Sequence, residues 1–90
     1  KRFVFLDFTG RNCSNCKLNE RDVFPRPEVD ALLRRYVLVQ QYTDVVPPRL
    51  YPSAVPDARR LADAAANLAY EEEKYGTRQL PLYVILEPRA

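Results

Sequence analysis

Ninety residues, 47% of them hydrophobic, are enough for one small domain with a core, although at this size folding buries only about 60–65% of the unfolded surface. The formal net charge of +2, spread over 14 cations and 12 acids, is too small and too scattered to point to nucleic acid as a partner. No apolar run approaches the roughly 18 residues that cross a bilayer, and the start does not resemble a signal peptide. Lys1 lies almost at the first strand, so residues 1–90 read as a single excised or truncated domain.

The first expected element is a strand, Phe3 to Phe8, nearly all apolar apart from Asp7, as suits a strand covered on both faces. A helix follows over Asn15 to Val23 and is interrupted by Pro25 and Pro27. Pro27 is well placed to begin a second short helix to Arg35, with Val29, Leu32 and Leu33 as its apolar stripe. Tyr36 to Tyr42, rich in β-branched and aromatic residues, forms the second strand. Four of the eight prolines fall between Asp44 and Pro56, which makes that stretch a loop; it packs as a connection or offers a proline-rich motif to a partner. Asp57 can cap a long helix reaching Tyr75, with Leu61, Ala65, Leu68 and Ala69 on its buried side, Glu71, Glu72 and Glu73 on a solvated face, and Gly76 as its stop. The last strand is Leu82 to Leu86.

Chemistry concentrates at Cys13-Ser14-Asn15-Cys16, directly after the first strand and at the head of the first helix. There the unpaired N–H groups and the positive end of the helix dipole favour a thiolate, so the pair reads first as a redox centre. Two alternatives stay open. A structural disulfide is possible, although it closes so short a loop that it constrains the unfolded chain little. Soft-metal binding is the other: with two cysteines and no histidine, zinc would lack two ligands unless two chains shared it, whereas copper(I) needs fewer.

The run Phe5-Leu6-Asp7-Phe8-Thr9-Gly10-Arg11-Asn12-Cys13-Ser14-Asn15-Cys16-Lys17 resembles the thioredoxin superfamily. More narrowly it is similar to the C-terminal thioredoxin-like domain of bacterial DsbD-type thiol:disulfide interchange proteins, which are attached to a cytochrome c biogenesis membrane region. Glu20, Phe24, Pro27, Val29, the strand at 37–39 and Leu80-Pro81-Leu82-Tyr83-Val84-Ile85-Leu86 fit the same pattern. The resemblance implies a three-layer α/β thioredoxin-like fold with a central mixed sheet, lacking the last strand and helix usual for the superfamily. It implies a thiol:disulfide oxidoreductase of the protein-disulfide reductase type, working on the extracytoplasmic (periplasmic) side of a bacterial membrane, with a cytoplasmic setting as the alternative. The electron donor would be a membrane domain of the same full-length protein, the substrates protein disulfides, and the domain a monomer with no metal or separate cofactor.

Residue roles follow by matching positions. Cys13 matches the exposed nucleophile, whose thiol pKa in thioredoxin-like sites falls to about 7, and Cys16 matches the buried resolving thiol. Asp7 matches the acid beneath the dithiol; desolvation should raise its pKa and let it take the Cys16 proton, unless it is a strand-end acid facing solvent. Pro81 matches the family's cis proline against the dithiol, with Leu80 offering backbone groups to an extended partner. Asn12 stands where many thioredoxins carry tryptophan, and Ser14-Asn15 replaces Gly-Pro, so partner contact and potential should differ. Gln40 reads either as a neighbour of the acid–dithiol centre or as a solvent-facing strand residue, and Lys17 as a charge near the thiols or a plain surface lysine. The reading from another class is a non-catalytic peptide-binding module that holds an extended chain at the proline-rich loop and Pro81, its cysteines in a fixed bond.

Overall fold

The computed structural model describes residues 2–89. Three strands, β1 (Val4–Thr9), β2 (Val37–Tyr42) and β3 (Leu82–Leu86), form one sheet in the order β2-β1-β3. β1 pairs parallel with β2, Val4 opposite Val37, and antiparallel with β3, Val4 opposite Leu86. A parallel pair needs a crossover. It is supplied by α1 (Ser14–Leu18), a π-helical turn (Asn19–Val23) and α2 (Pro27–Leu33); α3 (Asp57–Tyr75) then returns the chain to β3. The sheet is therefore mixed and lies between helices, giving the three layers that the sequence suggests. After β3 the described chain runs on to residue 89 without another strand or helix.

Alternation along β1 assigns each residue to a layer, since successive strand side chains point to opposite faces. Phe8 is fully buried against α3, its ring 6.2 Å from Tyr70 and 5.8 Å from Tyr75. Phe5 looks the other way, to Phe24, Tyr36 and Tyr83 at centroid distances of 6.4, 5.9 and 5.4 Å. Aromatic pairs of this kind add about 0.5–1.5 kcal/mol beyond the area they bury. They matter in a sheet whose outer strands leave Val37, Leu38 and Ile85 exposed.

Several local expectations need correcting. The first helix is not regular: after Leu18 it widens into a π turn, closed by Phe24 N–H donating to the Asn19 carbonyl at 2.8 Å. α2 begins at Pro27 as expected but stops at Leu33, and Leu32 is exposed. Asp57 is not the cap of α3. Pro56 holds that position, and the Asp57 carboxylate instead pairs with Arg60 at 2.8 Å. Gly76 does end the helix, in the left-handed conformation with φ 69°, its N–H donating to the Glu72 carbonyl. The buried side of α3 carries Ala64 and Glu71 with Leu68 half-buried between them, whereas Leu61, Ala65 and Ala69 are exposed. Ala64 is small enough for the helix to approach Tyr42 and Val46 closely, and these three with Tyr51 form a compact apolar cluster. That cluster anchors the start of the proline-rich segment, where Pro47 is buried while Pro48, Pro52 and Pro56 are exposed: Arg60 donates to the Val46 carbonyl at 3.2 Å and Val46 N–H to the Arg60 carbonyl at 3.3 Å. Pro48–Leu50 within it make one 3-10 turn.

Candidate redox site

Three chain segments meet beyond the C-terminal end of β1. The strand delivers Asp7 and Thr9, each 1% exposed, and then breaks at Gly10 into the turn that leads to Cys13. Glycine keeps this turn uncrowded. A Cβ at Gly10 would lie 3.1 Å from Asp44 Oδ2 and 3.3 Å from Leu80 Cδ1, so a larger residue would be tight here and would push these side chains back by a few tenths of an ångström. Asp44 then organises the turn: its carboxylate accepts the backbone N–H groups of Arg11 at 3.0 Å, Asn12 at 2.9 Å and Val45 at 2.6 Å. Burial pushes the Asp44 pKa up, but the N–H donors of Asn12, Arg11 and Val45 outweigh it and hold the carboxyl below its ordinary value.

Cys13 and Cys16 are joined by a disulfide, with their Cα atoms 5.3 Å apart. Cys13 occupies the N-cap of α1, and its Sγ accepts the Cys16 backbone N–H at 3.2 Å. A thiolate at Cys13 would receive the same N–H, which favours the charged form. The two sulfurs sit in unequal surroundings: Cys16 is fully buried, and Cys13 is half-buried at the surface end.

Asp7 is the most perturbed group nearby. Neither carboxylate oxygen has a hydrogen-bond partner among the described residues. Its pKa is raised from 3.8 to about 7, first by desolvation and then by the negative charge of Glu20. Glu20 reaches the site from the π turn, where its Oε2 accepts the Thr9 hydroxyl at 3.0 Å. Asn19, beside it, donates to the Tyr83 hydroxyl at 3.0 Å, and burial raises the Tyr83 pKa. Gln40 lies opposite Asp7 in the sheet but does not bond to it; its Oε1 accepts from Arg49 at 3.3 Å. Asn12 is exposed, its N–H committed to Asp44. Leu80 and Pro81 are half-buried and joined by a cis peptide, with Leu80 against the Gly10 turn. Lys17 is exposed. No group of three or more histidine, cysteine, aspartate or glutamate side chains is placed to hold a metal ion among the described residues.

Sequence reasoning did not assign a role to Glu20, Thr9 or Asp44. An aspartate in the turn after a strand is a signal for local backbone capture, and Asp44 does cap Val45, but its reach to a turn 32 residues earlier is tertiary. Glu20 carries no such signal, because a regular helix would have turned it differently from the π turn.

A disulfide whose first cysteine caps a helix just after a central strand, in a layered mixed sheet, defines a thioredoxin-like architecture and is consistent with thiol–disulfide exchange. The model of the thioredoxin-like family matches residues 1–88, and the chain belongs to that family. Its structure is similar to that of a thioredoxin from Thermus thermophilus, with a TM-score of 0.60 and 23% identity over 99% of this chain and 54% of that one. At such identity the likeness is one of fold, and the chain spans about half the length of that thioredoxin. No curated protein matches the chain in sequence.

Proposed function

We propose that the chain is a protein-disulfide reductase: Cys13 and Cys16 cycle between dithiol and disulfide, and Asp7 moves the proton of the inner thiol. The observation that carries this reading is the inequality of the two sulfurs, Cys13 half-buried at the surface and Cys16 fully buried, together with a buried acid six residues before Cys13 whose pKa is raised to about 7. In the reduced protein, the Cys13 thiolate attacks one sulfur of a partner disulfide, forming a mixed disulfide and expelling the partner's other sulfur as thiolate. Cys16 loses its proton to Asp7 and attacks Cys13 Sγ. The Cys13–Cys16 bond forms, the intermolecular bond breaks, and the partner leaves as a second thiolate with two electrons gained. Its two thiolates are then protonated, one by the proton held on Asp7 and one from solvent, which took up the Cys13 proton when its thiolate formed. The dithiol itself carries the electrons, so no separate cofactor or metal enters.

The substrate surface comprises Asn12, Leu80 and Pro81 around Cys13. The sequence resemblance of residues 5–17 supports a more particular setting, the soluble redox domain of a DsbD-type membrane thiol:disulfide interchange protein. There it acts as a monomer on the extracytoplasmic face and receives electrons from a membrane domain of the same polypeptide. A Cys16→Ser variant should trap a stable mixed disulfide with an oxidised protein substrate, whereas Cys13→Ser should trap almost none. Equal trapping by both variants, or a wild-type bond that resists dithiothreitol in the folded protein, would leave the fixed-disulfide peptide-binding module as the better account.

A further inference from the structure

Most arginines of this chain that form ion pairs do so along the helices: Arg21 with Asp22, Arg34 with Asp30, Arg59 with Asp63, Arg60 with Asp57, and Arg78 with Glu72 beyond the end of α3. Other cations, Arg2, Arg26, Arg35 and Lys74 among them, have no ion-pair partner among the described residues, and three such cations gather beside the dithiol turn. Arg11, Lys17 and Arg49 line one cleft of about 360 Å³ and have no ion-pair partner among the described residues. Two of its lining residues flank the cysteines in the chain, Arg11 two residues before Cys13 and Lys17 directly after Cys16, although neither cysteine lines the cleft itself. Pro47 and Pro48 make a stiff wall. The single acid lining it, Glu20, already accepts the Thr9 hydroxyl. Arg49 is oriented without being neutralised: it donates to the Tyr42 hydroxyl at 2.9 Å and to Gln40 Oε1, both uncharged, and lies 5.9 Å over the Tyr42 ring.

Resting on the thiol–disulfide reading above, we propose that the cleft formed by Arg11, Lys17 and Arg49 is a carboxylate subsite that selects partner proteins carrying an acidic segment next to the disulfide to be reduced. A held guanidinium with free donors suits a carboxylate in geometry as well as in charge. Because the cations are exposed, their contribution is mainly to encounter and orientation, and it is screened by salt.

Two synthetic peptides with the same intramolecular disulfide, flanked by Asp and Glu in one and by Asn and Gln in the other, test this with the reduced protein. The acidic peptide should be reduced about 5-fold faster in kcat/KM at roughly 20 mM salt, with the ratio approaching 1 near ~1 M salt. Arg49→Gln and Arg11→Gln should each lower that ratio, the pair together should bring it close to 1, and Arg49→Lys should restore part of it. Arg35→Gln, which removes the same charge from a remote exposed position, should leave the ratio as it is. A ratio near 1 in the wild type, with the neutral peptide still reduced, overturns the subsite and leaves the reductase standing. So does an equal loss in Arg35→Gln, which would make the preference one of net charge, or a ratio that persists in the double variant. If neither peptide is reduced, the reductase reading and the subsite fall together.

Discussion

The sheet separates two buried carboxylates that share one defect and differ in everything around it. Asp7 on the dithiol face is 1% exposed, Glu71 on the α3 side is fully buried, and neither has a hydrogen-bond partner among the described residues. Burial raises both pKa values. Their surroundings then diverge. Asp7 has a second acid, Glu20, which raises it further, and a disulfide close by in the chain. Glu71 is raised by Glu72 but drawn back by Arg78, and it belongs to the helix that carries Tyr70 and Tyr75 onto Phe8. A perturbed carboxyl is therefore a pointer to function only together with a reacting partner, which under the proposed mechanism would be Cys16 for Asp7 and which the proposal does not give to Glu71.

The largest expected effect lies at Asp7. Since its folded pKa of about 7 exceeds the unfolded value of 3.8, the folded state binds the proton more tightly. Its contribution is then most favourable below pH ~4 and is lost as pH rises to about 7, a swing of roughly 4 kcal/mol. Asp7→Asn, a mimic of the protonated acid, should remove that slope, matching wild type near pH 4 and exceeding it in stability above pH 7. Urea denaturation of both proteins across pH 4–8 measures the difference. The same substitution should slow resolution of the mixed disulfide about 10²-fold at pH 7, the low end of what a positioned proton acceptor supplies. Added stability with unchanged exchange would show Asp7 to be a buried acid like Glu71 and nothing more.

A smaller effect is expected at Glu71, where the burial is similar and a cation partly offsets it. Here too the raised pKa means stability falls as pH climbs through the titration. Glu71→Gln should raise stability at pH 8 by about 1 kcal/mol, the scale of one uncompensated buried polar group, with no gain in strong acid. Disulfide exchange should not change. A Glu71 variant that altered exchange would couple the two faces of the sheet and break the contrast drawn between them.

Why one carboxylate could be singled out from the chain and the other could not is a matter of range. Asp7 interrupts an apolar strand six residues before a cysteine pair, so its burial and its neighbour are both written locally. The same holds for Gly76, which ends α3, and for the strand cores, where β-branched and aromatic residues cluster. Glu71 sits in a run of three glutamates that reads as solvated, and the 3.6-residue pattern favours Leu61, Ala65 and Leu68 as the inner face. Tertiary packing overrode that pattern. The rings of Tyr70 and Tyr75 close on Phe8, and Ala64 fits against Tyr42 and Val46, which turns the helix so that Glu71 goes in and Leu61 stays out. The π turn that brings Glu20 to Thr9 is likewise invisible to a period of 3.6, because one widened turn shifts every later residue around the axis.

The smallest effects give the sharpest comparison, because they should have opposite signs. Asp7 has one charged neighbour, Glu20, and Glu71 has two of opposite sign, Glu72 and Arg78; removing Glu20 or Arg78 leaves burial in place. Taking away a negative neighbour makes the charged form of Asp7 less costly, so Glu20→Gln should lower its pKa from about 7. Taking away a positive neighbour does the reverse, so Arg78→Gln should raise that of Glu71. In both cases the shift should be the lesser part of the total displacement, because desolvation is the larger cause at each site. Carboxyl carbon shifts followed by NMR across pH 3–9 read both groups directly. If Glu20→Gln carried Asp7 most of the way back to 3.8, the two acids would have to be treated as one coupled pair, with the proton of Cys16 shared between them and not held by Asp7 alone.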